Sequence, residues 1–326
     1  MNVFRLIAVT LLLCSISSCE NQNATSASNG SSETSEVNKD LSFGVQPFAE
    51  SIFSQFNNVR DFTMNAEETE AYFSLQSMAR ELSVIMKMEK KDGQWQNPEI
   101  SSFSGRYTDL EPFLSPDNLK LYFVSNRPVS KDSTNTKDMD IWYVERGSKS
   151  ESWSEPKNLG MPVNTPGDEF YPSVASNGNL YFTLIKPELE SADDIFVSRW
   201  KDGAYTEPEI LGEGVNTKGA EYNAFIAADE SYLIFGGWRR PDGLGSGDMY
   251  ISRKVNDEWT TAENLGEKIN SKYMEFCPFV LNGTLYFTSR RSSISTKDNG
   301  FSSTEELLTE INKYDNGSSR IYRVEF

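Results

Sequence analysis

The sequence predicts an all-β fold, a β-propeller with five blades. The first observation is a triplet of the Leu-Tyr-Phe type that recurs along the chain. Its central residues are Tyr72, Tyr122, Tyr181, Ile234 and Tyr286, which lie 50, 59, 53 and 52 positions apart. The second observation is that no long helical pattern separates these copies. A repeat of about 50 residues built from short strands is typical of propeller blades.

Each full repeat contains four candidate strands. The first begins at an acidic residue, and the second is the apolar triplet, as expected for a strand buried on both faces. The third begins at Asp140, Asp194 or Asp248 in successive repeats. The fourth carries an aromatic residue and then proline, as in Trp153-Ser-Glu-Pro156. We expect this strand at the outer edge of the blade, where a proline removes no ladder hydrogen bond.

The last repeat lacks a fourth strand, because the chain ends at Phe326 after the third. The segment 41–48 lies just before the first repeat and carries an aromatic residue followed by proline. We therefore predict that this N-terminal strand completes the fifth blade and closes the ring, which removes the free sheet edges. A six-bladed ring is the alternative, but a sixth blade would need about 50 further residues.

Residues 1–19 are predicted to be a lipoprotein signal peptide. Arg5 precedes the short apolar segment 6–13, which is too short to span a bilayer. The following Ile16-Ser17-Ser18-Cys19 resembles the lipobox of bacterial lipoproteins. This resemblance implies that Cys19 becomes the lipidated first residue of the mature protein. The alternative is an ordinary signal peptide that is cleaved near the same point.

The rest of the chain divides into a tether and one folded domain. Residues 20–40 are almost entirely polar, and we predict a disordered tether because such a segment cannot bury enough apolar surface to fold. Residues 41–326 are predicted to form the propeller domain. Within it, Ser303-Thr304-Glu305-Glu306 is typical of a capping box and predicts a short helix over 303–314.

Composition excludes several classes of function. The net charge of −17, from 48 acidic and 31 basic residues, disfavours binding to nucleic acid. The chain has no histidine, which excludes a Ser-His-Asp triad and any histidine metal site. We predict no catalytic residue, no metal and no cofactor. Cys277 is the one cysteine outside the leader, and its position is more typical of a core residue than of a nucleophile.

The repeats resemble the TolB-like β-propeller repeat, a bacterial counterpart of the WD repeats. The matching features are Glu-x-x-Pro, an Asp-Gly or Asn-Gly turn, the Leu-Tyr-Phe strand, and the motif Ser125-Asn126-Arg127. The resemblance covers about residues 44–326 and implies a propeller of a lipoprotein family. Blade 3 departs from it, since Thr183-Leu184-Ile185 replaces Ser-x-Arg. TolB resembles a propeller with six blades, so the prediction of five blades for this chain depends on the count of repeats alone.

One face of the ring is predicted to bind a ligand. The connections between second and third strands, which meet at this face, are long: 128–139, 186–193, 240–247 and 291–318. Long loops gathered on one face commonly carry function. The candidate residues on this loop face are Arg127, Arg239, Arg240, Arg290, Arg291, Glu169, Glu221 and Glu275.

Two interpretations of these residues remain open. The carboxylates recur from blade to blade with Asp109, which favours a structural role over catalysis, because a catalytic acid and base need different environments. The arginines suit recognition of a carboxylate or phosphate. Salt bridges to the neighbouring acids would explain the arginines equally well.

We therefore expect a lipid-anchored, non-enzymatic module of the bacterial cell envelope that binds a protein or a glycan through its loop face. Its contact with the membrane would be through the lipid anchor, on the outer membrane, in the periplasm or at the cell surface. The alternative is a glycan-acting hydrolase with sialidase-like arginines or paired carboxylates. Two carboxylates about 5–10 Å apart in one funnel would favour the hydrolase, and a plugged face would favour binding.

Overall fold

The chain forms a five-bladed β-propeller, as the repeats predict. The structure is a computed structural model that describes residues 44–130, 133, 135–185 and 193–326. Five antiparallel sheets of four or five strands, one for each blade, follow one another along the chain, and blade 3 has a separate two-stranded sheet beside its main one. The signal peptide predicted at 1–19, the lipidation residue Cys19 and the tether predicted at 20–40 lie outside the described residues.

The strands of the first two blades and the N-terminal segment have the following bounds. The N-terminal segment consists of β1 (Gln46–Pro47) and helix α1 (Glu50–Phe53). Blade 1 consists of β2 (Val59–Met64), β3 (Glu70–Gln76), β4 (Ser83–Lys91), β5 (Gln94–Trp95) and β6 (Glu99–Ile100). Blade 2 consists of β7 (Asp109–Leu114), β8 (Lys120–Ser125), β9 (Asp140–Glu145) and β10 (Lys157–Asn158).

The remaining three blades follow the same order. Blade 3 consists of β11 (Asp168–Val174), β12 (Leu180–Ile185), β13 (Asp194–Ser198), β14 (Trp200–Lys201), β15 (Ala204–Tyr205) and β16 (Glu209–Ile210). Blade 4 consists of β17 (Ala220–Ile226), β18 (Tyr232–Trp238), β19 (Asp248–Val255), β20 (Glu258–Trp259) and β21 (Glu263–Asn264). Blade 5 consists of β22 (Glu275–Leu281), β23 (Thr284–Ser289) and β24 (Arg320–Glu325), with helix α2 (Thr304–Ile311) between the last two strands.

The N-terminal strand closes the ring, and this prediction is confirmed. Strand β1 pairs antiparallel with β24, with Gln46 opposite Arg323 and Pro47 opposite Tyr322. The pairing continues through Phe48, whose N–H donates to the carbonyl of Ile321 at 3.0 Å. Blade 5 therefore combines the two ends of the described chain, and no blade among the described residues has a missing outer strand.

The outer strands differ from the prediction in their position. The aromatic residue and the proline were expected in one strand, but in blades 1 to 3 the outermost strand begins only after the proline, as β6 does after Pro98. In blade 5 the proline, Pro47, lies within the outermost strand β1. The aromatic residue instead contacts the preceding blade. Trp153 donates its indole N–H to the hydroxyl of Tyr72 at 2.7 Å, and Trp259 packs edge-on against Tyr181. Contact between blades therefore determines where these rings lie.

The predicted helix is present as α2. Ser303 caps it, because the Ser303 hydroxyl accepts a hydrogen bond from the Glu306 N–H at 3.1 Å. Among the described residues, no helix is long and apolar enough to cross a membrane. The apolar core lies between the blades, where the phenylalanines of the triplets are buried in every blade, namely Phe73, Phe123, Phe182, Phe235 and Phe287.

The innermost strand of each blade carries a β-bulge at the same position. The pairing register with the second strand shifts there in all five blades. At each bulge a residue other than glycine has a left-handed backbone, with φ between 50° and 60°, which is costly for a side chain. These five residues are Asp61, Glu111, Tyr171, Asn223 and Cys277. The bulges matter for function because these five side chains meet one another.

Candidate functional site

The acids that begin the innermost strands are part of the framework. Asp109, Glu169, Glu221 and Glu275 have no exposed surface. Three of them each accept hydrogen bonds from the backbone and hydroxyl of a residue four positions earlier, as Glu221 does from Thr217 at 2.8 and 2.7 Å. Each such carboxylate therefore holds the loop that enters its own blade, which is the structural role that their recurrence favours.

Three of the candidate arginines pair with these acids. Arg127 lies 2.6 Å from Asp109, Arg240 lies 3.0 Å from Glu221, and Arg291 lies 3.4 Å from Glu275. Each guanidinium also donates to a backbone carbonyl in the loop before the strand, those of Phe103, Val215 and Ile269. The sequence allowed two roles for these arginines, ligand recognition or salt bridges to neighbouring acids. In the structure these three form salt bridges.

Blade 3 departs from this arrangement, as its sequence does. Glu169 is buried, and one of its carboxylate oxygens has no hydrogen-bond partner among the residues that the structure describes. Burial raises the pKa of Glu169 to about 8. The pairing register aligns Leu184, not Thr183, with Ser125, so the position equivalent to Arg127 is residue 186 rather than Ile185. Residue 186 lies outside the described residues.

A pocket of about 320 Å³ opens on the loop face, and Arg290 lines it. The other polar and aromatic residues of its wall are Arg60, Arg80, Asp193, Asn223, Ser246, Tyr222, Trp238 and Phe276. These residues come from blades 1, 3, 4 and 5, so the pocket lies over the centre of the ring. Arg239 lies at its rim, with its guanidinium 3.9 Å from the centroid of the Trp238 ring.

The arginines of this pocket act on one another. Burial lowers the pKa of Arg290, and the positive charges of Arg80 and Arg60 lower it further. The side chain of Arg290 donates to the Ser319 hydroxyl at 3.3 Å. Within the described part of the chain, neither Arg290 nor Arg80 has a carboxylate within ion-pair distance. The guanidinium groups of Arg60 and Arg290 both lie over the ring of Phe276, at 5.2 and 5.5 Å.

The floor of the pocket is a buried network centred on Arg60. The Arg60 guanidinium donates to Asp61 at 2.6 Å and to Glu111 at 2.8 Å, so one cation bridges carboxylates from adjacent blades. The side chains of both acids are at most 3% exposed. Burial raises the pKa of Glu111 to about 7, with Arg60 opposing this rise and the neighbouring Asp61 adding to it.

Residues from the other three blades complete this floor. The Cys277 thiol donates to Asp61 at 2.8 Å, and burial raises its pKa, which keeps it protonated. The Tyr171 N–H donates to Glu111 at 2.7 Å, and the Asn223 amide donates to the same carboxylate at 3.4 Å. All five bulge residues therefore meet at the axis of the propeller and plug the channel below the pocket.

The sequence alone did not identify Arg60, Arg80 or the axial network. Blade 1 begins with Val59 where the other blades have an acid, so Arg60 does not stand out as part of a repeat. Arg80 lies in the short turn between β3 and β4, where loop length gives no indication of a site. The available signal was chemical: one position of the repeat holds Asp61, Glu111, Tyr171, Asn223 or Cys277, a different residue type in every blade.

The described ranges contain no group of three or more cysteine, aspartate or glutamate side chains that could hold a metal ion.

The chain matches no protein-family model, and no curated protein matches it in sequence. It is similar in structure to the putative TolB from Agrobacterium tumefaciens, with 12% identity over 83% of this chain and 91% of that chain and a TM-score of 0.46. An α-L-arabinofuranosidase from Podospora anserina in complex with cellotriose has 10% identity, the same coverages and a TM-score of 0.49. A protein whose structure was solved as an RGII complex has 8% identity over 82% of this chain and 88% of its own length, with a TM-score of 0.51. These similarities concern the fold alone, which is a β-propeller.

Proposed function

We propose that the protein is a lipid-anchored, non-enzymatic binding module of the bacterial cell envelope that captures an anionic glycan or protein segment. The ligand binds in the pocket on the loop face. The observation that carries this proposal is the convergence of Arg60, Arg80 and Arg290 beside aromatic rings. Guanidinium groups form paired, charge-assisted hydrogen bonds with carboxylates and phosphates.

The distribution of charge supports this assignment. The chain carries a net charge of −17, yet the pocket gathers positive groups. Repulsion between Arg290 and its two neighbouring arginines opposes their proximity, and Arg290 and Arg80 gain no ion pair among the described residues in return. A cluster that the fold does not need for its own salt bridges is available to an anionic ligand.

The alternative of a glycan hydrolase has less support. A glycosidase needs an acid and a base that both reach the substrate. Asp193 is the one carboxylate that lines the pocket among the described residues. Asp61 and Glu111 lie below it from adjacent blades, but both are buried and bridged by Arg60. This closed floor favours capture of a ligand over its hydrolysis.

Attachment to the envelope is proposed from the N-terminal sequence. Residues 16–19 resemble a lipobox, and the polar segment 20–40 is suited to separate a folded domain from a membrane surface. Metabolic labelling with a fatty-acid analogue tests the anchor. Wild-type protein should be labelled, and Cys19→Ala should be unlabelled and released from membranes; an unlabelled wild type would refute the anchor.

Binding to a panel of carboxylated, sulfated, phosphorylated and neutral ligands tests the site. We expect at least one anionic class to bind, with an affinity that falls as salt rises. Arg290→Ala should weaken that binding by about 1–3 kcal/mol. The matched control is Arg253→Ala, which removes an exposed arginine of blade 4 that pairs with Glu263. Equal binding by wild type and Arg290→Ala, or binding to neutral ligands alone, would overturn the proposal.

A further inference from the structure

The composition of the pocket wall defines a narrower class of ligand. We infer that the pocket binds one carboxylated pyranose ring, that is, a uronic acid unit of an acidic saccharide. This inference rests on the function proposed above and specifies its ligand.

Charge is the first property of the pocket that selects such a ligand. Arg60 faces two buried carboxylates beneath it, Asp61 and Glu111, and burial raises the pKa of Glu111 to about 7, so these three groups together add no positive charge to the cavity. Arg80 and Arg290 therefore contribute two positive charges to the cavity, and Asp193 contributes one negative charge. The net charge of the pocket is therefore at most one positive charge, which matches a carboxylate. A phosphate monoester carries about −1.5 to −2 at pH 7 and would leave the pocket negative.

Size is the second property. A volume of about 320 Å³ lies at the lower end of the range for ligand pockets, roughly 300–1,000 Å³. Such a space suits a single sugar ring with its substituents better than several consecutive units. The opening on the loop face leaves room for the rest of a saccharide outside the pocket, where Arg239 and Trp238 form the rim.

The aromatic wall is the third property. Trp238 is 40% exposed as a residue although Arg239 lies over its ring. The negatively polarised face of an aromatic ring attracts C–H groups, and a pyranose ring presents several of them on one flat side. The side chain of an acidic peptide has one or two methylene groups and no such face. The rings of Tyr222 and Phe276 continue this apolar surface.

The fourth property is a hydrogen-bond acceptor in the wall. Asp193 lines the cavity and can accept a hydrogen bond from a sugar hydroxyl. The ring of Tyr222 beside it is held in place by two glycines, since a Cβ at Gly236 would lie 2.5 Å from the ring carbon Cε2, and a Cβ at Gly247 would lie 2.5 Å from the hydroxyl oxygen. A carboxylate ligand without hydroxyl groups would leave Asp193 unsatisfied and would be repelled by it.

The experiment is calorimetric titration of the full-length protein with D-galacturonate and D-glucuronate. The comparison ligands are the parent neutral sugars, the methyl esters of both uronates, galactose 6-phosphate and a glutamate-containing peptide. We expect at least one uronate to bind about tenfold or more tightly than its neutral sugar and its ester. Arg80→Ala and Arg290→Ala should each weaken uronate binding about tenfold, and Arg290→Lys should weaken it less. Arg253→Ala should bind uronate as the wild type does.

The outcomes separate this inference from the function on which it rests. If the peptide or the phosphosugar binds more tightly than either uronate and Arg290→Ala abolishes that binding, the uronate assignment is overturned but anion capture stands. If no anion binds, or if Arg290→Ala binds as the wild type does, both proposals are overturned. If neither uronate binds, or if the ester binds as well as the acid, the carboxylated sugar is rejected as the ligand.

Discussion

The arginines of the loop face fall into two groups that differ in their partners. Arg127 and Arg291 occupy one repeated position, Arg240 lies one residue beyond it, and each of the three is paired with the buried acid of its own blade. Arg80 and Arg290 face a pocket and have no carboxylate partner among the described residues. A polar residue repeated from blade to blade therefore stabilises the propeller. Polar residues that interrupt the repeat are the better candidates for binding.

The largest expected effect would come from removing an arginine of the repeated group. Arg127→Ala leaves the carboxylate of Asp109 buried and without its cation, so we expect the free energy of unfolding to fall by about 3–5 kcal/mol. Denaturant unfolding measures this. The double variant Arg127→Ala with Asp109→Asn should recover part of the loss, because the uncompensated charge is gone. A loss below about 1 kcal/mol in the single variant would contradict the structural role.

Arg290→Ala should have the opposite profile. Ligand binding should weaken by about 1–3 kcal/mol, while the free energy of unfolding should change by less than about 0.5 kcal/mol. The same denaturant series, run beside the titration, separates the two effects. A destabilisation as large as that of Arg127→Ala would remove the distinction between the two groups.

The axial carboxyl Glu111 should give stability a dependence on pH. Its folded pKa of about 7 lies above the ordinary glutamate value of 4.5. The stabilisation that Glu111 contributes to the free energy of unfolding is therefore fully present below pH 4.5 and is lost as the pH rises through about 7. The reason is that the folded state holds a proton that the unfolded state releases. Glu111→Gln should flatten the slope of stability against pH between about 4.5 and 7. An unchanged slope would show that Glu111 is ionised throughout this range.

The smallest effect is expected at Arg253, whose side chain is 54% exposed beside an exposed glutamate, Glu263. Solvent screens such a pair, so Arg253→Ala should change stability by less than about 0.5 kcal/mol. It should also leave ligand binding unchanged, because the residue does not line the pocket. A measurable loss of binding here would mean that the effect of Arg290→Ala reflects overall charge rather than position.

Most of the fold could be predicted from the sequence, because the strand pattern of a blade recurs five times along the chain. The strand triplets, the closure by the segment before Phe48 and the helix capped by Ser303 all follow from local patterns. The outer strands were harder, since each has only two residues and depends on contacts such as that between Trp153 and Tyr72. No local pattern specifies a contact between residues 81 positions apart.

The candidate site could be predicted only in part. Arg290 was found because it follows a recognisable strand and precedes a long loop. Arg60 and Arg80 were missed because they belong to blade 1, whose repeat is the weakest, and because their relation to Arg290 exists only after the ring closes. Blades 1 and 5 lie far apart in the sequence, so their contact in space cannot be inferred from local patterns. The pairing of β1 with β24, which closes the ring, brings the two blades together.

The closure of the ring also has a mechanical consequence for an anchored protein. If Cys19 holds the chain to a membrane, any tension between the membrane and a captured ligand enters the domain at β1. That strand pairs over only two residues, but the ring of Phe48 directly behind it contacts Phe62 and Tyr286 at centroid distances of 4.9 and 5.1 Å. Under force, β1 would detach from β24 first. This aromatic contact between blades 1 and 5 would then resist the separation of the two blades. The strand that completes the propeller would thus also be the point at which pulling begins to open it.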